Sequence, residues 1–141
     1  MAKNYRLLLF FLLFTCTMSA QDTLLVNDTC RIGTLKDGKR NGLWEEYLNE
    51  TLISRGWFRD DIKEGPWEYY GISHYGDNEI IASGFYRNGL KEGEWTHSGG
   101  YQYGKGNYVH GKKEGTWLYY DAELDDNLYM KANFVTGIAE G

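Results

Sequence analysis

The sequence predicts an all-β fold in which short β-hairpins are stacked into a sheet. The chain has 141 residues with 18 glycines, five tryptophans and a single proline. Many glycines and aromatic residues with little proline are typical of short strands joined by tight turns. Disordered chains, in contrast, are poor in aromatic residues. The tryptophans also recur at a fixed distance from a glycine, which indicates an internal repeat.

The first 20 residues differ from the rest. Lys3 and Arg6 precede an unbroken apolar run over residues 7–14, and small or mildly polar residues then lead to Ala20. This order predicts a secretory signal peptide, a helix over residues 1–20 that is cleaved after Ala20. A buried or membrane-anchoring helix is the alternative, although eight apolar residues are too few for a spanning helix, which needs about 20.

Export places the mature chain outside the cell or in the periplasm and cell envelope. Cys16 offers a minority alternative, a lipoprotein leader in which this cysteine receives the lipid. Phe14 fits that motif poorly, because small residues precede the lipidated cysteine. Apart from such a lipid on Cys16, membrane contact by the mature chain is not expected.

The mature chain is acidic. Without Lys3 and Arg6 it has 13 Lys and Arg against 20 Asp and Glu, a net charge of −7. Nucleic acid and anionic membrane surfaces are therefore poor partners. Cys30 is then the only cysteine, so no internal disulfide is expected. The three histidines, His74, His97 and His110, are scattered, and neither a metal nor a cofactor is predicted.

The repeat is a unit of the form Gly-x-aromatic-x-x-Gly-x-x-x-Gly-x-Trp. The first glycine and the tryptophan are 11 residues apart in each of four copies, Gly33 and Trp44, Gly56 and Trp67, Gly84 and Trp95, and Gly106 and Trp117. Leu35, Phe58, Tyr86 and Tyr108 take the aromatic position. Four matches at identical spacing predict four equivalent structural units, so these residues are interpreted as structural.

A partial fifth unit begins near the end of the chain. Ala132 takes the position of the first glycine and Phe134 the aromatic position, while Gly137 and Gly141 match the turn glycines. The sequence stops two residues before the expected tryptophan. Two interpretations remain open, a degenerate terminal unit that caps the array or a truncated protein.

Each unit is predicted to form strand, turn and strand. In the second unit the first strand includes residues 56–58, a tight connection covers residues 59–65, and the next strand includes residues 67–70. Since residues two apart share a face of a strand, the glycine and the aromatic residue lie on one face. The tryptophan of the neighbouring strand then covers the slot above the glycine. The repeat domain spans residues 32–141, after a lead-in segment over residues 21–31.

The distance from each tryptophan to the next unit varies between 11 and 17 residues. The segment of variable length between each tryptophan and the next unit carries the loops. Stacked hairpins would present these loops along one edge of the sheet. Loops on a rigid scaffold often carry binding functions. The predicted loops are Asn49 to Thr51, Gly71 to Glu79, Ser98 to Gly100 and Asp121 to Asn127.

The repeat also contains Lys-Glu-Gly directly before x-Trp at residues 63–65, 91–93 and 113–115. With this motif, the chain from about residue 32 to residue 141 resembles the MORN-repeat variant found in many bacterial proteins. The resemblance implies an elongated, twisted antiparallel sheet without catalytic residues. Related bacterial proteins are described as antitoxin-like, or as repeat proteins that mediate protein or membrane contacts.

Catalysis and cation binding are both disfavoured. Glu45 and Glu68 could suggest paired catalytic carboxylates, but they occupy equivalent repeat positions, and no Ser-His-Asp or Cys-His arrangement stands out. The chain is therefore predicted not to be an enzyme. The acidic stretch over residues 121–126 could offer oxygen ligands to a cation, but its spacing fails the EF-hand pattern. A solvated loop is the preferred interpretation.

A second set of aromatic residues is out of phase with the tryptophans. Tyr47, Trp57, Tyr70, Phe85 and Tyr120 should gather on the opposite face of the sheet. An exposed aromatic patch there would bind a protein or a glycan. The N-terminal segment or the curvature of the sheet could instead cover this face. The favoured function is an exported, non-catalytic module for protein–protein interaction. The alternatives are a cell-surface glycan-binding module and an immunity or antitoxin-like protein that neutralises a toxin.

Overall fold

The computed structural model describes residues 22–26, 29–72, 76–99, 102–121 and 127–140. The predicted signal peptide lies outside the described residues. The described part forms one open sheet of eleven antiparallel strands, which follow one another in sequence order. The all-β class is therefore confirmed. The strands are β1 (Asp22–Val26), β2 (Thr29–Lys36), β3 (Lys39–Leu48), β4 (Thr51–Arg59), β5 (Ile62–Ile72), β6 (Asn78–Arg87), β7 (Leu90–Gly99), β8 (Gln102–Val109), β9 (Lys112–Asp121), β10 (Asn127–Val135) and β11 (Ile138–Glu140).

The lead-in segment takes part in this sheet. Asp22–Val26 pairs with β2 from Asp22 opposite Gly33 to Val26 opposite Thr29. β1 is therefore an edge strand in the plane of the sheet and does not lie across either face. Within the described residues, no helix is long and apolar enough to span a membrane.

The turns inside the units are shorter than predicted. In the second unit only Asp60 and Asp61 form the turn, and both have positive φ, as a two-residue type I′ hairpin requires. Residues 62–65, expected in the connection, belong to β5. Gly65 does have positive φ, but it lies in a β-bulge, where the pairing steps from Gly56–Trp67 to Trp57–Glu64. The bulge uses the glycine that the sequence pattern had suggested for the turn.

The predicted packing of tryptophan over glycine is confirmed in all four complete units. A Cβ atom added to the first glycine would lie only 2.1–2.5 Å from the indole of its tryptophan. The four indoles are at most 2% exposed. Each indole N–H also donates a hydrogen bond of 3.0–3.2 Å to the backbone carbonyl one residue after its glycine. Glycine is thus required by space, and the tryptophan locks two strands together.

In the three units that contain it, the Lys-Glu-Gly motif connects the unit to the next one, a role that the sequence alone did not reveal. In the third unit, the Lys91 ammonium lies 4.0 Å from the centre of the Trp95 ring. The Glu92 carboxylate accepts a 2.9 Å hydrogen bond from the backbone N–H of His110, in the next turn. The Gly111 N–H in that turn donates to the Lys91 carbonyl at 2.9 Å. The other two copies make the same contacts.

Candidate functional site

The two faces of the sheet have different characters. One, the tryptophan face, carries the core, in which Phe58 and the four repeat tryptophans are buried. The strand pairing places the five predicted contact residues on the opposite, second face, as the alternation of side chains requires. They do not form a single patch there, however. The pairing separates them into three groups with different surroundings.

Trp57 and Phe85 belong to an exposed apolar ridge, defined here as Leu43, Trp57, Pro66 and Phe85. Leu43 pairs with Trp57, and Pro66 pairs with Phe85. The side chains of Leu43, Trp57 and Phe85 are 45%, 47% and 42% exposed. Sequence reasoning missed Leu43 and Pro66, although each is the variable residue of a Gly-x-Trp motif.

Two open clefts border the apolar ridge. The first, of about 320 Å³, is lined by Trp57 and Pro66 together with Arg55 and Glu68. The second, of about 390 Å³, lies between Trp57 and Phe85. The ridge therefore combines apolar side chains with concave, partly charged flanks, as contact sites on proteins commonly do.

The later units carry polar residues at the positions of the apolar ridge. Leu43 and Pro66 precede the repeat tryptophans of the first two units. In the next two units the corresponding residues are Glu94 and Thr116. Asn107 follows its glycine, where Trp57 and Phe85 follow theirs. The same backbone thus accepts polar side chains at these positions. The apolar ridge is consequently a local property of β3 to β6 that the fold does not require.

Tyr47 and Tyr70 lie beside the apolar ridge, in a polar setting. The Tyr47 hydroxyl donates to a Glu45 carboxylate oxygen at 2.8 Å, and the Tyr70 hydroxyl donates to Glu68 at 2.6 Å. Arg55 forms an ion pair with Glu68 at 2.6 Å. Burial and the bond to Glu45 raise the pKa of Tyr47 to about 12. Both hydroxyls therefore form hydrogen bonds within the protein, and the two rings lie beside the ridge.

Tyr120 lies on β9, away from the apolar ridge. Its ring stacks on Tyr103 with centroids 4.8 Å apart and planes 12° apart. The Lys105 ammonium lies 5.5 Å from the Tyr120 ring centre. A stacked pair of this kind across neighbouring strands stabilises the sheet, so Tyr120 is not part of the same surface as Trp57 and Phe85.

On the tryptophan face, His97 is a functional candidate that the sequence did not single out. Its ring stacks between Trp95 and Trp117, with centroid distances of 5.9 and 5.7 Å. Burial, followed by repulsion from the Lys91 and Lys113 ammonium groups, lowers the pKa of His97 to about 4. The sequence signal was present, because His97 stands two residues after a repeat tryptophan, where Tyr69 and Tyr119 stand in other units.

His97 should make the protein less stable in weak acid. The folded chain resists protonating His97, whereas an unfolded histidine takes up a proton below about pH 6.5. The stability that the neutral ring contributes is complete above that pH and is lost as the pH falls towards 4. We expect the free energy of unfolding to fall by about 1–2 kcal/mol between pH 6.5 and pH 4.5.

Urea unfolding across this pH range tests the expectation. A His97→Tyr variant should lose the slope, and a His110→Asn variant, changed in an exposed turn, should retain it. Hydrogen bonds and ion pairs hold the pKa of Glu46, Asp61 and Glu68 low, so these carboxylates reduce stability mainly below about pH 4.5. An equal slope in the His97→Tyr variant would show that another group is responsible.

The chain was compared with known proteins, and neither protein-family models nor curated proteins gave a match. Among the described residues, no group of three or more His, Cys, Asp or Glu side chains could hold a metal ion. Most of the acidic stretch over residues 121–126 lies outside the described residues.

Proposed function

We propose that this protein is an exported, non-catalytic repeat module of the MORN-like type, which binds another protein through its apolar ridge. The observation that carries the proposal is the difference between the two halves of the second face. Leu43, Trp57, Pro66 and Phe85 occupy positions where later units have Glu94, Asn107 and Thr116. Exposed apolar residues that the fold does not require are best explained by a partner that covers them.

The composition of the ridge fits a protein partner. Binding energy in protein interfaces is concentrated in a few residues, among which tryptophan and arginine are enriched. Trp57 lies at the centre of the ridge, with Arg55 and Arg59 on either side along β4. Arg59 forms an ion pair with Glu64 at 3.8 Å, and its side chain is 71% exposed. The ridge thus has an aromatic centre and a charged rim.

The N-terminal leader motivates the extracellular or periplasmic location. The predicted elongated, twisted array would present the ridge along one part of its second face. An immunity-like protein that neutralises an exported toxin is the special case in which the partner is a toxin. The resemblance to antitoxin-like repeat proteins motivates that case.

Substitutions in the apolar ridge should abolish partner binding without unfolding the protein. The mature chain and a Trp57→Ala/Phe85→Ala variant would be used as baits in envelope extract from the source organism. We expect the partner only with the unchanged chain, because the variant lacks the two large rings of the ridge. The variant should remain folded and lose only about 1–2 kcal/mol of stability, since both side chains are more than 40% exposed.

The matched control is Asn107→Ala/Thr116→Ala, which alters the polar half of the same face. This control should recover the partner as well as the unchanged chain does. A partner that binds the ridge variant equally well, or one that depends on Asn107 and Thr116, would contradict the proposal.

A second candidate, glycan binding, is favoured by one cleft. The cleft of about 320 Å³ combines the Trp57 indole with the charged side chains of Arg55 and Glu68. Sugar rings stack on indoles, and charged groups accept or donate hydrogen bonds to hydroxyls. A glycan array separates the two candidates, because glycan binding should require Trp57 and Glu68 but not Phe85. Protein binding should require Phe85 as well.

A further inference from the structure

We propose that the tryptophan face carries a separate site, beside His97, for a small organic anion with an apolar or aromatic body and one acidic head group. The site lies on the face opposite the apolar ridge and does not depend on the function proposed for that ridge. Three observations lead to it, namely an open cleft, a break in the repeat pattern and a lysine in the cleft wall, Lys113, without an ion-pair partner among the described residues.

The cleft opens next to His97 and has a volume of about 470 Å³. Its walls include His97 on β7, Tyr108 on β8 and both Lys113 and Tyr119 on β9, while Tyr129 on β10 closes one side. This volume is within the usual range for small-molecule sites, about 300–1,000 Å³. Aromatic walls with a few polar groups are also typical of such sites.

The break in the repeat pattern occurs at His97. In the second unit the Lys63 ammonium donates to the Tyr69 hydroxyl at 2.8 Å, and in the fourth the Lys113 ammonium donates to Tyr119 at 3.1 Å. The third unit has Lys91 but carries the shorter His97 in place of the tyrosine. Lys91 therefore lacks the tyrosine hydroxyl that its equivalents bind, and the missing length leaves space beside the imidazole.

The lysines of the tryptophan face differ in their carboxylate neighbours among the described residues. In the first half, Glu46 bonds to Arg31 at 2.6 Å and also attracts Lys63. In the second half, neither Lys91 nor Lys113 forms an ion pair with a described residue. Burial and repulsion by Lys63 and Lys113 lower the pKa of Lys91. Lys113 lines the cleft, so an anion bound there would lie beside this ammonium group and offset its charge.

The chemistry of the walls defines the ligand class. An acidic head group can accept charge-assisted hydrogen bonds from Lys113, which are stronger than bonds between neutral groups. The Tyr108 hydroxyl, 3.5 Å from His97 Nε2, offers a further polar contact. The apolar body would pack against Tyr119 and Tyr129, whose ring centroids are 6.5 Å apart. A neutral molecule of the same shape could accept a hydrogen bond from Lys113 but would lack the attraction between opposite charges.

The test uses benzoate, phenyl phosphate and the neutral analogue benzamide as probes, added to the mature chain and followed by NMR chemical shifts. We expect saturable shifts of the His97 and Tyr108 signals with at least one acid and not with benzamide. The two acids distinguish a carboxylate from a phosphate head group. The Lys113→Gln variant should bind about tenfold more weakly or worse, since it loses the charged donor.

His97→Tyr is the decisive variant, because it restores the residue of the neighbouring units and should fill the cleft without unfolding the chain. It should abolish binding while circular dichroism stays unchanged. Lys105→Gln, on the second face, is the matched control and should bind normally. Three results would overturn the proposal. They are equal binding of benzamide, normal binding by His97→Tyr, and no saturable shift with either acid at about 10 mM, where a millimolar site would be largely filled.

Discussion

Replacing Gly84 with alanine is expected to prevent β6 and β7 from packing as they do. The added methyl group would lie 2.2 Å from the Trp95 ring, far inside van der Waals contact. The indole is fully buried and bonded through its N–H to the Phe85 carbonyl at 3.0 Å, so it cannot move aside without losing that bond. Overpacking a core costs about 1–3 kcal/mol and occasionally more. We expect the free energy of unfolding to fall by about 3 kcal/mol, the upper end of that range. Urea unfolding measures this change.

Gly99→Ala is the matched control for this substitution. Gly99 lies at the end of β7, and a methyl group there would meet its nearest neighbour, a backbone oxygen, only at 4.0 Å. The control should therefore change the free energy of unfolding by less than about 0.5 kcal/mol. Equal effects of the two alanines would mean that the tryptophan does not fill the slot above Gly84.

Removing the indole itself should have the largest effect. Trp95→Ala leaves a cavity at the centre of the tryptophan face, between Tyr86 and Tyr108, whose ring centroids lie 5.2 and 6.0 Å from that of Trp95. Truncating a buried tryptophan typically costs about 3–5 kcal/mol. We expect a loss of that size in the free energy of unfolding, and for a single sheet of hairpins this could approach the total stability.

The control for Trp95→Ala is Trp57→Ala, which removes the same side chain from the second face. Trp57 is 47% exposed, and we expect its loss to cost about 1 kcal/mol or less. Urea unfolding of both variants gives the comparison. If Trp57→Ala were as destabilising as Trp95→Ala, the apolar ridge would be part of the core. Its apolar residues would then no longer indicate a binding partner.

Much of the fold follows from residue spacing. The constant distance from Gly56 to Trp67, repeated in the other units, predicts a hairpin that brings these two residues opposite each other, and they do pair. The length of the turn was less predictable. Asp60 and Asp61 adopt positive φ without being glycine, while the nearby Gly65, the more obvious turn residue, is used for a bulge.

The candidate sites were only partly predictable. Alternation along a strand was enough to place Trp57 and Phe85 on the second face. It could not show that Leu43 and Pro66 join them, or that Tyr120 lies apart on a stacked pair with Tyr103. These relations join residues on different strands, so they depend on the pairing of those strands. The surroundings of His97 were missed for the same reason, since Lys113 and the Trp117 ring that stacks on it come from β9.

The sequence by itself determined the β class, the repeat and the packing of each repeat tryptophan over its glycine. These features are local, because a side-chain period of two and a turn of fixed length are sufficient to specify them. Only the tertiary structure decided which exposed residues share a surface. The pairing between successive units also contains one-residue bulges, such as the one where it steps from Glu46–Ser54 to Tyr47–Leu52, and a shift of one residue in register moves a side chain to the other face. The cross-strand neighbours that form the apolar ridge and the cleft beside His97 are therefore set by the register of the whole sheet.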